Sequence, residues 1–368
     1  MYSTTDRNIT ILSTEPVDPN FPLESDIRNA RILLLLPRFI FLFVILIVGT
    51  TGNVLVLYIY HFKYKLSTFT LFVKVLAGLD LLNCFTSVPG ALALVIGQDH
   101  VDMDILCTMM PFLSLYTAIA SGVLFTIIAY QRYYGISKPM MTLFELPLAK
   151  KLCLFSIMIA IVPSILRLFL DYGLRSEVSF NDLKFNITMC VVTDEARQGT
   201  LYFIYQAVLA ILFFGIFVTL SVLYILMWRQ MIKSNQQRAQ LCQDQPESSQ
   251  PNCNTHVNTF KIFFAITVVF ILSYLPHLVI VTFRHLDSNL SPVRRAFYDL
   301  GYYSPLWNNA ANPLVYSFFS ADFRCKCKQV LCCEPPPPHP GVSIGISSTT
   351  TGSTHSILVT TNLVLTQF

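Results

Sequence analysis

One arginine, Arg132, stands at the end of a long uncharged stretch, in the segment AYQRYYG that covers residues 129–135. No charged residue occurs between Cys107 and Tyr130. As a helix, the roughly 25 residues from Cys107 to Arg132 would be ~37 Å long, about one membrane thickness. The spacing therefore predicts a cation at the edge of a hydrocarbon layer, where it either extends to water or serves as a functional contact.

Polar residues and prolines also interrupt other apolar stretches. Asp80 ends the segment LAGLD, and Asn53 in the segment GN is a candidate partner for it, since a lone carboxylate in hydrocarbon must be neutralised or paired. Pro276 in FILSYLPH and Pro313 in NPLVY each remove one backbone hydrogen bond and predict a kinked helix. Asn312, beside Pro313, could bond the freed carbonyls or a neighbouring helix.

The composition places these residues in a membrane protein. Of the 368 residues, 54% are hydrophobic and 12% are charged, and the mean hydropathy is +0.56, whereas a soluble domain carries about 25% charged residues. Soluble globular and disordered chains are thereby excluded, and the net charge of +4 calls for no nucleic acid. We find no Cys/His pattern for a metal and no Ser/His/Asp pattern for catalysis, so we expect neither an enzyme nor an organic cofactor.

Seven apolar stretches are long enough to cross a bilayer as helices. They cover approximately residues 39–60, 68–96, 108–130, 152–170, 201–228, 260–283 and 296–318. The second contains Lys74 and Asp80 and the seventh contains three asparagines, but polar groups within a span usually face the bundle interior. The predicted fold class is an all-α membrane protein, a seven-transmembrane helix bundle.

The regions outside the bundle differ in character. We divide the chain into an N-terminal tail (1–37), the bundle (38–318), a short amphipathic eighth helix on the membrane surface (319–333) and a disordered tail (334–368). The eighth helix would turn Phe319, Phe323 and Val330 toward lipid. Cys332 and Cys333 are candidate palmitoylation sites at its end.

The C-terminal tail suggests two protein partners. Serines and threonines at residues 347–351 form a phosphorylatable cluster for arrestin recruitment. The terminal sequence LTQF ends on Phe368, which suits a PDZ domain that pairs an added strand and buries the last side chain. A merely polar tail is the alternative for the first, and a chance match for the second.

Sequons and cysteines indicate which side of the membrane is extracellular. Asn8 and Asn186 begin N-x-T sequons on the N-terminal side, where glycosylation takes place. Outside the spans, only Cys107 and Cys190 fall on that side, so an oxidising space allows one disulfide between them. Lys and Arg are slightly more numerous on the other side. We expect a multi-pass protein of the cell membrane with an extracellular N terminus and a cytoplasmic C terminus.

The motifs, in this order on successive spans, resemble those of the rhodopsin-like (class A) G-protein-coupled receptors over about residues 38–333. The resemblance implies that the protein binds an extracellular ligand and activates heterotrimeric G proteins through outward movement of the sixth helix. It implies activation or coupling roles for Arg132, Tyr133, Tyr224, Phe270, Tyr274, Pro276, Asn312, Pro313 and Tyr316. It also implies an allosteric sodium pocket formed by Asp80, Ser121, Asn308, Asn309 and Asn312.

Some positions depart from the family pattern. Tyr274 replaces the sixth-helix Trp, and Ser273 replaces the Cys before it. The fourth span has no Trp, and the fifth span lacks the usual proline. Tyr274 keeps an aromatic ring and gains a hydroxyl that needs a partner. These departures concern the activation switch and leave the predicted fold unchanged.

The class of ligand is approached by elimination. Ser114 occupies the position of the amine-binding Asp, and Leu306 that of the retinal-binding Lys, so neither an amine nor retinal is expected. We predict a neuropeptide or short-peptide receptor, with a lipid or other small molecule as the alternative and a membrane transporter as a distant one. The predicted ligand contacts are Gln98, Ser114, Arg167, His277, Arg284 and Tyr302. The arginines could hold a ligand carboxylate, or pair with Asp171 and Asp287 instead.

The residue before Arg132 leads to a prediction about basal activity. In the family it is an acid that restrains the arginine, whereas Gln131 offers only a neutral and weaker hydrogen bond, and His256 stands where the sixth helix often supplies a second acid. We therefore expect raised ligand-independent signalling, which Gln131→Glu should lower in a second-messenger assay without ligand. Absent basal signalling, or signalling that the substitution leaves unchanged, would contradict the prediction.

Overall fold

The structure is a computed structural model that describes residues 24–96, 103–137, 145–169, 171–180, 183–192, 199–241, 254–282 and 292–332. In chain order the helices are α1 (Glu24–Phe62), α2 (Thr68–Phe85), α3 (Ser87–Ile96), α4 (Met103–Ser137), α5 (Leu146–Ile165), α6 (Thr200–Leu241), α7 (Asn254–Thr282), α8 (Pro292–Tyr302), α9 (Trp307–Phe319) and α10 (Ala321–Leu331). Two strands, β1 (Asp171–Phe180) and β2 (Leu183–Val192), lie between α5 and α6.

The helices supply the seven predicted spans. The first, third, fourth, fifth and sixth spans are α1, α4, α5, α6 and α7, the second is α2 with α3, and the seventh is α8 with α9. Among the described residues, six stretches are long and apolar enough to cross a membrane: Ile32–Phe62, Thr68–Ile96, Ile105–Ser137, Leu146–Phe169, Thr200–Lys233 and Phe260–Val281. The seventh span is not among them, since a 3-10 turn, Ser304–Leu306, divides it and three asparagines lie in α9.

Prolines account for the breaks in the second and seventh spans. Pro89 has no N–H for the carbonyl of Phe85, four residues earlier, and α2 ends at that residue. Pro305 likewise leaves the carbonyl of Gly301 without a helical donor, and Ser304 Oγ lies 2.8 Å from that carbonyl oxygen. The single hydroxyl proton of Ser304 is shared between this oxygen and the carbonyl oxygen of Ser273 in the sixth span, 2.6 Å away, so Ser304 compensates in part for the bond that the proline removed.

The first helix is longer than the predicted first span. It begins at Glu24 and contains Pro37, so it covers part of the region that the sequence analysis assigned to the N-terminal tail. Arg38, one residue after this proline, is buried in the bundle.

A β-hairpin is added to the predicted all-α bundle. β1 and β2 pair antiparallel, with Gly173 opposite Cys190. β2 is rich in Val, Ile, Thr and Phe, residue types that fit a pleated surface, whereas β1 is mostly polar. The predicted disulfide between Cys107 and Cys190 is confirmed, and it ties β2 to the start of α4.

The core places the first span directly against the seventh. A Cβ added at Gly52 would lie 2.7 Å from Pro313 Cβ, and one added at Gly49 would lie 2.6 Å from Cys84 Sγ in the second span. Glycine at position 52 therefore lets the first and seventh spans approach this closely. The approach brings Asn53, the residue after Gly52, to the proline kink of α9.

Candidate functional site

The carboxylate of Asp80 lies in the middle of the bundle. Asp80 is 2% exposed, and Asn312 Nδ2 donates a hydrogen bond to its Oδ2 at 2.7 Å. Within the part of the chain that the structure describes, no ion pair includes Asp80. An amide from the seventh span is therefore its hydrogen-bond partner in the place of a cation, and Asn53, the partner suggested by the sequence, is not.

The amide of Asn53 instead repairs the kink of the seventh span. Pro313 cannot donate to the carbonyl of Asn309, four residues earlier. Asn53 Nδ2 donates to that carbonyl at 2.6 Å and to the carbonyl of Gly49, in its own helix, at 2.9 Å. The sequence analysis left Asn312 two possible partners, the freed carbonyl or a neighbouring helix, and the structure shows the second, because Asn312 donates to Asp80 in α2. The reason is geometric, because Gly52 lets the first span come close enough to supply the donor.

Asp80 belongs to a set of buried polar side chains on the first, second, third and seventh spans, which we call the polar chamber. Its members, none more than 4% exposed, are Asn53, Asp80, Asn83, Ser121, Asn308, Asn309 and Asn312. Asn83 Nδ2 donates to Asn309 Oδ1 at 3.3 Å. The Oδ1 atoms of Asn53, Asn83, Asn308 and Asn312 have no hydrogen-bond partner. The chamber thus holds a carboxylate and several free amide oxygens, the ligand chemistry that hard cations prefer.

Asn83 belongs to this chamber, but the sequence analysis missed it. It lies three residues after Asp80 in α2, so both side chains project from the same face of the helix. That spacing was a usable signal, because an asparagine on the same face as a buried acid is placed to share its surroundings.

Aromatic rings surround the middle of the sixth span. Phe270 lies edge-on to Phe125 at a centroid distance of 5.0 Å and to Phe217 at 6.3 Å. Tyr274 contacts the ring of Phe270 at 4.7 Å and stacks on Phe213 at 5.7 Å. The rings predicted to form the switch are therefore packed against the third and fifth spans, just before the kink at Pro276.

The side chain of Arg132 is enclosed by aromatic rings at the other end of the third span. Its guanidinium carbon lies 5.8 Å from the ring centroid of Phe69 in the second span and 5.5 Å from that of Phe263 in the sixth. Phe69 and Phe263 contact each other edge-to-face at 5.5 Å. Both distances from the guanidinium are within the range of a cation–π interaction, and we call this arrangement the aromatic clasp.

The neighbour of Arg132 makes a different contact. Gln131 Nε2 donates to Thr68 Oγ1, in the first turn of α2, at 2.9 Å. The sequence analysis had considered Gln131 only as a weak restraint on the arginine. The structure shows that its amide N–H joins the third span to the second.

Tyr224 and Tyr316, two of the four tyrosines assigned to activation or coupling, contact other residues of the bundle in this structure. Tyr224 Oη and Thr267 Oγ1 share a hydrogen bond of 2.9 Å that links the fifth and sixth spans. The ring of Tyr316 contacts Tyr60 and Phe323, each at 6.0 Å. Tyr133 is partly buried at the edge of the same core.

The predicted surface helix is present but is oriented differently from the expectation. Phe323 is 1% exposed and packs on Tyr60 and Tyr316, so it points into the bundle rather than toward lipid. Phe319 is half exposed, and Cys332 at the end of the helix is exposed. Ser320 caps α10 by accepting from the N–H of Phe323.

The surface helix also contacts the turn that follows the first span. Lys326 Nζ lies 4.8 Å from the ring centroid of Tyr64 and 3.9 Å from a carboxylate oxygen of Asp322. Burial raises the pKa of the Tyr64 phenol, and a hydrogen bond to the Asp322 carboxylate raises the pKa further. The phenol therefore stays protonated and available as a donor to Asp322.

The structure brings two predicted ligand contacts together. His277 Nδ1 lies 2.6 Å from the carbonyl oxygen of Tyr302, and their rings are 5.2 Å apart. Ser114 in α4 and Arg167 in the 3-10 turn Leu166–Phe169 are partly buried on other elements. Gln98 and Arg284 lie outside the described residues.

A charged cluster that the sequence analysis missed joins the first and seventh spans. Arg38 Nη1 and Arg295 Nε lie 3.9 Å and 3.4 Å from the two carboxylate oxygens of Asp299. The guanidinium carbon of Arg38 is 5.8 Å from the ring centroid of Tyr303. A signal existed in the sequence, because Arg38 interrupts an apolar stretch and needs an acid at the same depth.

The predicted modification sites fall partly within the described residues and partly outside them. Asn186 lies in β2, opposite Glu177. Asn8, Cys333, the cluster at residues 347–351 and Phe368 lie outside the described residues.

The sequence matches the family described as "7 transmembrane receptor (rhodopsin family)" over residues 52–316. This range includes Asn53, Asp80, Arg132 and the NPLVY motif, and the chain belongs to this family. The predicted class is thereby confirmed: the protein is a multi-pass membrane receptor of the rhodopsin family, and not an enzyme.

Several receptors are similar to this chain over most of their length. "Neuropeptide receptor 3" of Caenorhabditis elegans is 26% identical over 296 residues, which cover 78% of this chain and 76% of that protein. The human "Type-1 angiotensin II receptor" is 25% identical over 306 residues, 80% of each protein. The rat "Type-1 angiotensin II receptor A" is 25% identical over 322 residues, 84% of each.

The hydrogen bond between Tyr224 and Thr267 is testable by a double-mutant cycle. Tyr224→Phe and Thr267→Val each remove one partner, and each should lower the thermal stability of the purified receptor. We expect the two effects to be non-additive by about 0.5–1.5 kcal/mol, because the second substitution has no bond left to break. Additive effects in thermal unfolding would show that the two hydroxyls do not interact.

Proposed function

We propose that the protein is a receptor for a neuropeptide or another short peptide and that it activates heterotrimeric G proteins. The observation that carries the proposal is the family match over residues 52–316 together with relatives named for a neuropeptide and for angiotensin II. Ser114 and Leu306 support it further, since they occupy the positions of the amine-binding and retinal-binding residues.

The ligand would bind at the end of the bundle that carries the hairpin. His277 and Tyr302 are in contact there, and we assign Gln98, Ser114, Arg167 and Arg284 to the same mouth from the sequence. The arrangement favours a ligand with both polar and aromatic groups, because the mouth offers a histidine, tyrosines and cations.

Activation would proceed by outward movement of the sixth span. The span is kinked at Pro276, and its rings at Phe270 and Tyr274 are packed against the third and fifth spans. A ligand that contacts the outer half and repacks these rings shifts the equilibrium between two packings of the bundle. The movement would expose Arg132, Tyr224 and Tyr316 to a G-protein α-subunit.

The orientation and the modifications belong to the same proposal. The N terminus would be extracellular, which places the disulfide and the sequons at Asn8 and Asn186 in the oxidising space. Cys332 and Cys333 would carry palmitate beside the surface helix. The tail would recruit arrestin through residues 347–351, and a PDZ domain through Phe368.

A second-messenger assay in transfected cells tests the ligand class. Cells that express the receptor are exposed to a library of short peptides, and Arg132→Ala, which removes the proposed G-protein contact, serves as the matched control. We expect at least one peptide to raise signalling through the unaltered receptor and not through the variant. A response to lipids alone would overturn the peptide proposal, and ion flux without G-protein signalling would favour a transporter.

We also propose that the polar chamber holds a sodium ion. Asp80 supplies the charge, and Ser121, Asn308, Asn309 and Asn312 are the neighbours assigned to the ion. The free Oδ1 atoms of Asn308 and Asn312 fit this role, since buried oxygens without partners favour a hard cation. The bound ion would balance the carboxylate, which has no cation beside it among the described residues.

Thermal unfolding in different salts tests this ion site. In sodium chloride the purified receptor should be more stable than in choline chloride of the same ionic strength, by about 1.4 kcal/mol when sodium is at ten times its Kd. Asp80→Asn should abolish the difference, whereas Asp322→Asn, which alters an exposed acid of the surface helix, should preserve it. Equal stability of the unaltered receptor in both salts would refute the site.

A further inference from the structure

Aromatic rings lie beside the guanidinium of Arg132, which the family pattern pairs with an acid. Its Nε and Nη2 atoms are buried and have no hydrogen-bond partner. The neighbouring Gln131 directs its amide N–H to Thr68. Phe69 and Phe263 supply the close contacts, at 5.8 Å and 5.5 Å. The negative face of an aromatic ring attracts a cation most strongly where water is excluded, so the clasp stabilises Arg132 in its buried position.

The clasp joins three spans at one point. Phe69 lies in α2, Arg132 in α4 and Phe263 in α7, and the two rings also contact each other at 5.5 Å. Phe263 is 1% exposed. Any movement that separates the sixth span from the third must therefore withdraw the Phe263 ring from the guanidinium.

The sixth span presents Phe263 from its inward face. Phe260, Phe263, Thr267 and Phe270 are all buried, and their spacing of three or four residues places them on one side of the helix. Phe270 meets the third span in the middle of the membrane, and Phe263 meets it two turns away at Arg132. Of these two contacts with the third span, the one made by Phe263 lies farther from Pro276, so it moves farther when the sixth span pivots there.

We propose that Phe69 and Phe263 are positioning residues for Arg132, which hold its guanidinium between the second and sixth spans and keep the inner end of the bundle closed. The rings replace the acidic restraint that Gln131 and His256 do not provide. Opening of the sixth span breaks the clasp on one side and frees Arg132 for a partner. The inference rests on the proposed G-protein coupling for its consequence in cells, but the geometry of the clasp is independent of it.

The matched variants exploit the fact that leucine keeps much of the volume of phenylalanine but lacks the π-face. Phe263→Leu and Phe69→Leu each remove one ring, and Phe69→Tyr keeps the ring at a position that is only partly buried. Phe62→Leu removes an exposed ring at the end of α1 that contacts Tyr58 and His61, and it serves as the control.

The position of the sixth span is measured with spin labels, so that no ligand or G protein is needed. Cysteines introduced at the exposed positions Lys150 and Lys261 carry the labels, with the native cysteines outside the disulfide replaced by serine. The distance between the labels is recorded in the purified full-length receptor, and basal second-messenger signalling is recorded in cells.

We expect Phe263→Leu and Phe69→Leu to raise the population with the longer distance, and the basal signalling, by about three- to tenfold. Phe62→Leu should leave both unchanged, and Phe69→Tyr, which keeps the ring, should change them less than Phe69→Leu does. In an Arg132→Gln background, Phe263→Leu should no longer change the distance, because the cation that the ring holds is gone.

Two outcomes would overturn the proposal. If Phe263→Leu lengthens the distance equally in the Arg132→Gln background, the ring acts by packing alone. If neither leucine variant changes the distance, the clasp does not hold the sixth span. A distance change without any change in cellular signalling would instead support the clasp and contradict the proposed G-protein coupling.

Discussion

Inside a bilayer, a backbone carbonyl that loses its helical donor finds no water to replace it. Pro313 creates such a carbonyl at Asn309, and Asn53 of the first span supplies the missing donor at 2.6 Å. The replacement requires two helices in close approach, which Gly52 permits. Once the seventh span is fixed there, Asn312 faces Asp80. The polar chamber is thus a consequence of one proline and the donor that compensates for it.

The two conspicuous charges of the bundle are stabilised in different ways. Asp80 accepts a hydrogen bond from an amide, and Arg132 lies between two aromatic rings. Neither forms an ion pair among the described residues. A directional donor restrains a carboxylate at one atom, whereas ring faces hold a planar cation without fixing its hydrogen bonds. A sideways movement of the sixth span can therefore free Arg132 from the rings, whereas no such movement frees Asp80 in the middle of the bundle.

Hydrophobic length and motif order were enough to predict the seven spans, the surface helix and the disulfide. The motifs at Asp80 and Pro313 also marked residues that the structure buries in the bundle. These features depend on the local sequence and on the thickness of the bilayer, so one chain suffices to recognise them. The breaks at Pro89 and Pro305 follow from the same rule and were open to prediction.

Side-chain partners between spans were harder to predict, because they depend on how each helix is rotated and how closely it approaches its neighbours. Asn53, expected beside Asp80, donates to the kink of the seventh span for this reason. Phe323 was assigned to lipid from its amphipathic pattern, but its ring packs inward on Tyr60 and Tyr316. The hairpin was not predicted from the sequence. The aromatic clasp unites residues that are far apart in sequence, and no motif marks Phe69 or Phe263.

The inward ring of Phe323 makes the seventh span and the surface helix one mechanical unit. Arg324 Nη1 donates to the carbonyls of Ser317 and Phe318 at the end of α9, so the corner between the two helices is braced from both sides. A helix of this length, ~16 Å, converts a rotation of ~10° at its root into a displacement of ~3 Å at its tip. Small rearrangements around Tyr316 are thereby amplified along the membrane surface, and they reach the point where the C-terminal tail begins.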